Sequence, residues 1–391
     1  LLDYYYIFGS NSSDPRKSLQ ALNFDCYSLS GLKSEVVVRE QMSLSEILQS
    51  GTADVGIDLP GSTLSKVVSD LQDTRPGPGL LRFFTSTILL IASLVMSWQF
   101  NTSDFGYYAF AALAGVFFAA SAVTTHDAIH HTLTGLELFD EVSARFVTWP
   151  VFWPHGVYSE LHKLHHKMNG VDLRDPERVT HTESEYAEAG LLTKFYIRHQ
   201  LLIAVFVAGG VGMIAGHLYR ARKFIRQSRA LRRQLAFDVL GILIVNGALY
   251  SLAAYHGQLG KAVLLYFLVE RIGGGLLQFR AHIEHYGLSG KRTNYFATQL
   301  HTCRNIQTNT TMSWLMNGLN FHSIHHAFPK VPFYHLEEAT RRMNALLETN
   351  NAEAMPHAHG YLRTFVRLSG KMMLLGDKTP NFVQSPTATM E

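Results

Sequence analysis

Hydrophobic residues along this chain gather in long runs, not in the short alternations of strands. Five strongly apolar stretches lie at roughly 80–100, 107–125, 201–218, 236–255 and 261–279. Each is near the ~20 residues a helix needs to cross a bilayer. A sixth, around 146–157, is short and rich in Trp and Pro, and reads as interfacial. Upstream, residues 1–78 are mixed and fairly polar, with room for one or two short amphipathic helices between Leu44 and Leu71. The run Arg75-Pro-Gly-Pro-Gly79 breaks the chain and reads as a linker. The pattern predicts an N-terminal segment over 1–78, with no role legible in it, and an all-α integral-membrane domain over 79–391.

Histidine groups follow the second apolar stretch, at 126–131 and 162–166, and the last one, at 282–285. For these to share one side of a membrane, an even number of crossings must separate 166 from 285. Three apolar stretches lie between, so one of them does not cross. Arg220, Arg222, Lys223, Arg226, Arg229, Arg232 and Arg233 form a basic run with no acidic residue among them. Short Lys/Arg-rich loops stay cytoplasmic, which makes 201–218 the stretch that stays on one face. Its Gly209-Gly210-Val-Gly212 suits an in-plane or re-entrant helix. The expectation is about four transmembrane helices with both termini cytoplasmic and a cytoplasmic helical cap carrying the histidines. Glu270, Arg271, Gln278 and Asn246 fall inside predicted spans. Such groups either satisfy one another between packed helices or mark a polar point along a cavity.

Charged residues make up only 17% of the chain and the net charge is +3, so neither a large solvated surface nor a nucleic-acid partner is indicated. Two cysteines, Cys26 and Cys303, cannot build a disulfide framework, and neither is placed to supply a metal-bound thiolate. No basic region followed by an apolar core marks a signal peptide at the start.

The 20 histidines change the picture. His126-Asp-Ala-Ile-His130-His131 is an HxxxHH pattern; His162-Lys-Leu-His165-His166 and His322-Ser-Ile-His325-His326 are HxxHH; His282-Ile-Glu284-His285 lies between. Residues three and four apart share a helix face, so each box aims its imidazoles at one point. Helical bundles build two-metal centres by the same device, and imidazole suits iron, zinc, copper or nickel. His155, His181, His199, His217, His256, His335, His357 and His359 read as surface or satisfied core groups; His131 and His301 stay open. Asp127, Glu160, Asp172, Asp175, Glu284 and Asn320 are near enough in sequence to orient ligands from behind.

The boxes THDAIHH, LHKLHH and FHSIHHAFP, in that order, resemble those of the membrane fatty acid desaturase and hydroxylase superfamily, over roughly residues 80–345. HHKMNGVDLRDPE and CRNIQTNTTMSWLMNGLNFHSIHHAFPKVPFYHL extend the resemblance. It implies a non-haem di-iron site with two Fe ions, O₂ as oxidant and electrons from an external donor. Carried over by position, the ligands are His126, His130, His162, His165, His166, His285, His322, His325 and His326. Where some relatives place an Asn four residues before the His285 equivalent, this chain has Ala281; Asn320 or His282 are the substitutes at hand. His282-Ile-Glu-His285-Tyr-Gly-Leu288 also resembles the EHYGL motif of alkane and xylene monooxygenases.

The resemblance implies oxidation of a lipid or fatty acyl substrate, most directly acyl desaturation. A hydroxylase or ketolase of an alkane, carotenoid or similar lipid is the alternative, and a membrane zinc protein the remote one. Nine imidazoles exceed the three or four protein ligands of a zinc site. No His-Pro-Gly-Gly haem motif and no Cys-rich cluster motif occurs in this sequence. The donor is then a partner, such as a ferredoxin, a cytochrome b5-like or a rubredoxin-like protein. The basic run at 220–233 offers it, or anionic lipid, a docking face.

Overall fold

The computed structural model describes residues 58–376; the expected helical positions 44–57 and Cys26 lie outside them. The described chain is mostly helical. A short helix α1 (Gly61–Lys66) is followed by two long helices, α2 (Pro76–Gln99) and α3 (Phe105–Ile129). Pro76 starts α2 where its missing N–H costs nothing. Asp104 accepts from the Asn101 amide at 2.9 Å and closes the turn between the two. Then come α4 (Glu137–Thr148) and α5 (His155–Met168). A 3-10 turn over Trp149–Val151 joins them in the Trp/Pro-rich stretch. The chain continues through α6 (Glu183–Glu188), α7 (Leu191–Leu202), a π-helical segment (Ile203–Ala208), α8 (Gly209–Gln227), α9 (Arg229–Tyr255) and α10 (Leu259–His285).

By length and composition five helical stretches can cross a membrane: α2, α3, the merged Leu191–Gln227, α9 and α10. Helices α2 and α9 turn Leu81, Ile88, Val95, Leu240, Leu243 and Ile244 outward, as lipid-facing surfaces do. The third stretch is not one straight rod. His199 leaves helical geometry, the π segment follows, and Gly209 takes φ +54. On one side of this break Gln200 donates to Val179 O at 2.7 Å; on the other Arg220 donates to Pro176 O at 2.8 Å. A straight helix from 200 to 220 would be about 30 Å long, whereas the two carbonyls are three residues apart. Leu191–Gln227 therefore bends back at this break into two arms, an open hairpin.

Polar residues of α10 hold the break open. Glu270 accepts from the Val211 amide at 2.5 Å, Arg271 donates to the carbonyls of Val207 and Ala208, and Gln278 donates to Gly209 O at 3.2 Å. These charges thus satisfy each other and the backbone that the hairpin frees. The glycine run of α10 permits the approach: a Cβ on Gly274 would lie 2.0 Å from the Gly210 nitrogen, and one on Gly273 2.9 Å from Gly115 O of α3. Asn246 of α9 donates to Trp149 O at 2.8 Å.

Helices α3 and α10 run side by side in the same direction. Tyr107 near the start of α3 donates to Lys261 O near the start of α10 at 2.7 Å, and both helices end among the histidines. The cap on that end is completed by α11 (Tyr295–His301), β1 (Asn305–Gln307), α12 (Thr310–Leu315), α13 (His322–Ala327), α14 (Leu336–Thr349), β2 (His357–His359) and α15 (Tyr361–Ser369). Strands β1 and β2 pair in parallel, Ile306 opposite Ala358. Leu59, Leu64, Val68 and Leu71 pack into one apolar core with Leu319, Ile324, Leu336 and Met343, so α1 and its flanks are part of the cap.

Candidate metal centre

Four separate elements deliver the boxes to one place. His126 and His130 end α3, His162, His165 and His166 share a face of α5, His285 ends α10, and α13 carries His322, His325 and His326. The spacing of three and four residues works as its geometry requires. Two groups result. One ring nitrogen each from His126, His130, His162, His166 and His325 lie within 4.8 Å of one another; the same holds for His285, His322, His326 and the Cys303 sulfur. His165 sits against the second group, its ring centroid 4.9 Å from those of both His285 and His326. The groups touch where His166 stacks on His326 at 4.2 Å. All nine sequence-predicted ligands are brought together.

The donor set fits cations. Nε2 of His166 lies 3.0 Å from Nε2 of His162 and 3.2 Å from Nε2 of His325, and Nε2 of His285 lies 2.9 Å from Nε2 of His322. Nε2 atoms of His126, His130 and His326 are buried with no protein partner. Lone pairs converging on each other in a dry interior are unfavourable unless a cation sits among them. Burial and the neighbouring imidazoles hold His166, His322, His325 and His326 well below the ordinary histidine value. These rings are neutral at pH 7, the form that ligates metal.

Groups behind the rings fix several of them. Nδ1 of His165 is 2.8 Å from Asp175, Nδ1 of His126 is 3.2 Å from Asp127, and Nδ1 of His322 is 3.4 Å from Glu284. Burial disfavours charge on His165, yet the Asp175 carboxylate carries it above its usual value. Asn317 donates to Asp127 at 2.5 Å and accepts from Arg82 at 2.8 Å, so α2 also supports His126. Arg280 and Tyr361 donate to Glu284 at 3.1 and 3.0 Å. Asp172 instead pairs with Arg174, and Glu160 with Lys163. Asn320 is engaged by Ser313 and Ile306 O.

Three backing groups were not foreseen. Glu177 lies 3.1 Å from Nδ1 of His162, and Gln299 lies 3.2 Å from Nδ1 of His326. The Asp175-Pro-Glu177 run carried the signal for Glu177; nothing in sequence singled out Gln299. The third is Cys303, whose sulfur lies in the second group, against the expectation that neither cysteine is placed to supply a metal-bound thiolate. Its sulfur is 3.8 Å from Nδ1 of His285, behind the ring whose Nε2 faces His322. Burial pushes the thiol far above its usual range. His131 lies past the end of α3 at φ +55 and joins neither group. His282 also joins neither, and His301 bonds to the carbonyls of Ala297 and Glu353.

A cavity of about 190 Å³ borders both groups, through His126, His162, His165, His285 and His322. The hairpin forms its far wall with Ala204, Ala208, Gly212, Met213 and Gly216, opposite Leu277, Gln278, Ala281 and His282 of α10. His217, read from sequence as ordinary, is in that wall as well. A larger apolar groove of about 680 Å³ lies between α2, α9 and α10, and includes none of the nine histidines.

An all-α membrane fold closing histidine boxes over a buried chamber defines a class of lipid-modifying oxidoreductase, and the comparisons agree. The chain belongs to the fatty acid desaturase family, whose pattern it matches over residues 104–357, more than half its length. It is 25% identical over 307 residues to an endoplasmic-reticulum omega-3 fatty acid desaturase of Nicotiana tabacum, covering 74% of this chain and 73% of that one. It is 23% identical to a fatty acid conjugase of Calendula officinalis, covering 60% of this chain and 66% of the relative. A Delta(5) fatty acid desaturase of Caenorhabditis elegans is 24% identical, covering 59% of this chain and 55% of the relative.

Proposed function

We propose that this protein oxidises an acyl chain of a lipid at a non-haem di-iron centre, most directly by desaturation, with O₂ as oxidant and electrons from a separate donor. His126, His130, His162, His166 and His325 hold one iron; His165, His285, His322 and His326 hold the other. When bound, the irons supply the O₂ chemistry that removes hydrogen from an unactivated methylene. The observation that carries the reading is the convergence of nine imidazoles into two groups beside a cavity.

The protein's own contributions follow from its packing. Asp175, Asp127, Glu177, Glu284 and Gln299 fix ring orientation and keep each Nδ1 proton in place, leaving Nε2 for metal. Buried rings exclude bulk water from the reacting centre. The hairpin wall presents the small residues Ala204, Ala208 and Gly212 to the cavity beside both groups, where the hydrocarbon chain would lie. The hydroxylase or ketolase alternative draws on one observation, the polar half of the cavity lining. A zinc protein is disfavoured by two groups of ligands where one would serve.

The topology belongs to the same proposal. Helices α2, α3, α9 and α10 cross, the hairpin re-enters, and the cap with both termini is cytoplasmic. Arg222, Lys223, Arg226, Arg229, Arg232 and Arg233 are all exposed; this basic face suits a cytoplasmic loop and an acidic donor. Residues 1–78 form the N-terminal segment of the proposed division, with positions 59–71 docked on the cap. The test is expression with a labelled fatty acid, followed by lipid analysis and metal assay. A new double bond and two irons per chain support the reading; unchanged lipids with one zinc per chain oppose it.

A further inference from the structure

The chamber beside the imidazole groups is more polar than a plain hydrocarbon calls for. His217, on the outgoing arm of the hairpin, lines it, and its Nδ1 is buried with no protein partner. Its ring stacks on Tyr158 at 5.4 Å, and Tyr158 in turn lies 5.6 Å from the ring of His162. His217 thus stands one aromatic ring away from a proposed iron ligand. On the facing helix, His282 also lines the chamber, one turn before His285. Its Nδ1 donates to Gln278 O at 2.8 Å, which fixes Nε2 as an acceptor. A methylene chain alone would leave both rings unsatisfied on burial.

We propose that this chamber recognises a hydroxyl group of the substrate through His217 and His282, so that the lipid oxidised is a hydroxylated one. A hydroxyl serves either ring, donating to Nε2 of His282 or exchanging a hydrogen bond with Nδ1 of His217. The proposal rests on the di-iron reading for where reaction occurs, but the binding preference itself needs no turnover. Sites built to bond a hydroxyl discriminate strongly against chains that lack it, because their polar groups are then left unpaired.

The test is equilibrium binding to the purified full chain in detergent. The probes are octadecanoic acid and its monohydroxy isomers, with the hydroxyl moved along the chain and iron assayed in parallel. At least one isomer should bind roughly ten-fold or more tightly than the plain acid. His217→Phe and His282→Phe should each shrink that preference with iron per chain unchanged. His217→Gln, which keeps a hydrogen-bonding group, should retain part of it. Equal binding of the plain acid and every isomer overturns the proposal, as does a preference that survives both Phe substitutions. A keto isomer binding as tightly as its hydroxy counterpart overturns donation to His282. A hydroxy preference in protein that takes up zinc but no iron on reconstitution sinks the di-iron reading and leaves this one standing; iron-loaded protein without preference does the reverse.

Discussion

The two imidazole groups are built to different standards of support. In the second, every far-side nitrogen has a partner: Asp175 behind His165, Cys303 behind His285, Glu284 behind His322 and Gln299 behind His326. In the first, such bonds among the described residues reach only His126, from Asp127, and His162, from Glu177. Nδ1 of His166 is buried without a partner. The first group relies on ring packing, with His166 stacked on His326 and His130 edge-on to His162, His166 and His325. A hydrogen-bonded imidazole is oriented and made more basic. The second site should therefore hold its metal more tightly and tolerate loss of a single backing group less well.

The largest expected effect comes from removing a ligand. His165→Ala should abolish product formation and lower iron per chain, whereas His359→Ala, on β2, should change neither; equal behaviour of the two would contradict the assignment. Next comes support of the hairpin wall. Glu270→Ala leaves Arg271 and the Val211 amide without their buried partner, a change that costs about 3–5 kcal/mol when an ion pair is broken inside a protein. Thermal unfolding should fall sharply, and a Glu270→Gln variant should recover part of the loss. If Glu270→Ala melts like the wild type, α10 does not hold the hairpin.

The backing groups sharpen the comparison directly. Asp175→Asn should lower metal affinity roughly 10–100-fold, measured by chelator competition, with the loss confined to one of the two irons. Glu177→Gln should act in the same direction on the other iron. The smallest effect is expected at Cys303: Cys303→Ser keeps a group behind His285 and should retain both irons, with a changed spectroscopic signature. Loss of iron in Cys303→Ser would make the sulfur more than a backing group.

Much of this was legible because helix periodicity is local. Boxes spaced by three and four residues announce a shared face, and the run Gly209-Gly210-Val-Gly212 marked the place where the third long stretch breaks. What was not legible depends on contacts between remote segments. Gln299 and Cys303 reach the site from α11 and its exit, far in sequence from the rings they support, and Arg82 reaches His126 only through Asn317 and Asp127. The polar residues of α10 left two readings open. Satisfaction of the hairpin backbone decides between them for Glu270 and Arg271, while Gln278 both bonds that backbone and lines the chamber. His217 looked ordinary because only the fold-back turns it toward α5.

The most direct test of the central claim is metal stoichiometry with site resolution, by Mössbauer spectroscopy on protein expressed with ⁵⁷Fe and purified in detergent. The account predicts two irons per chain in distinguishable environments, with His285→Ala removing one signal before the other. A single iron environment at one per chain, or zinc in place of iron, would contradict it.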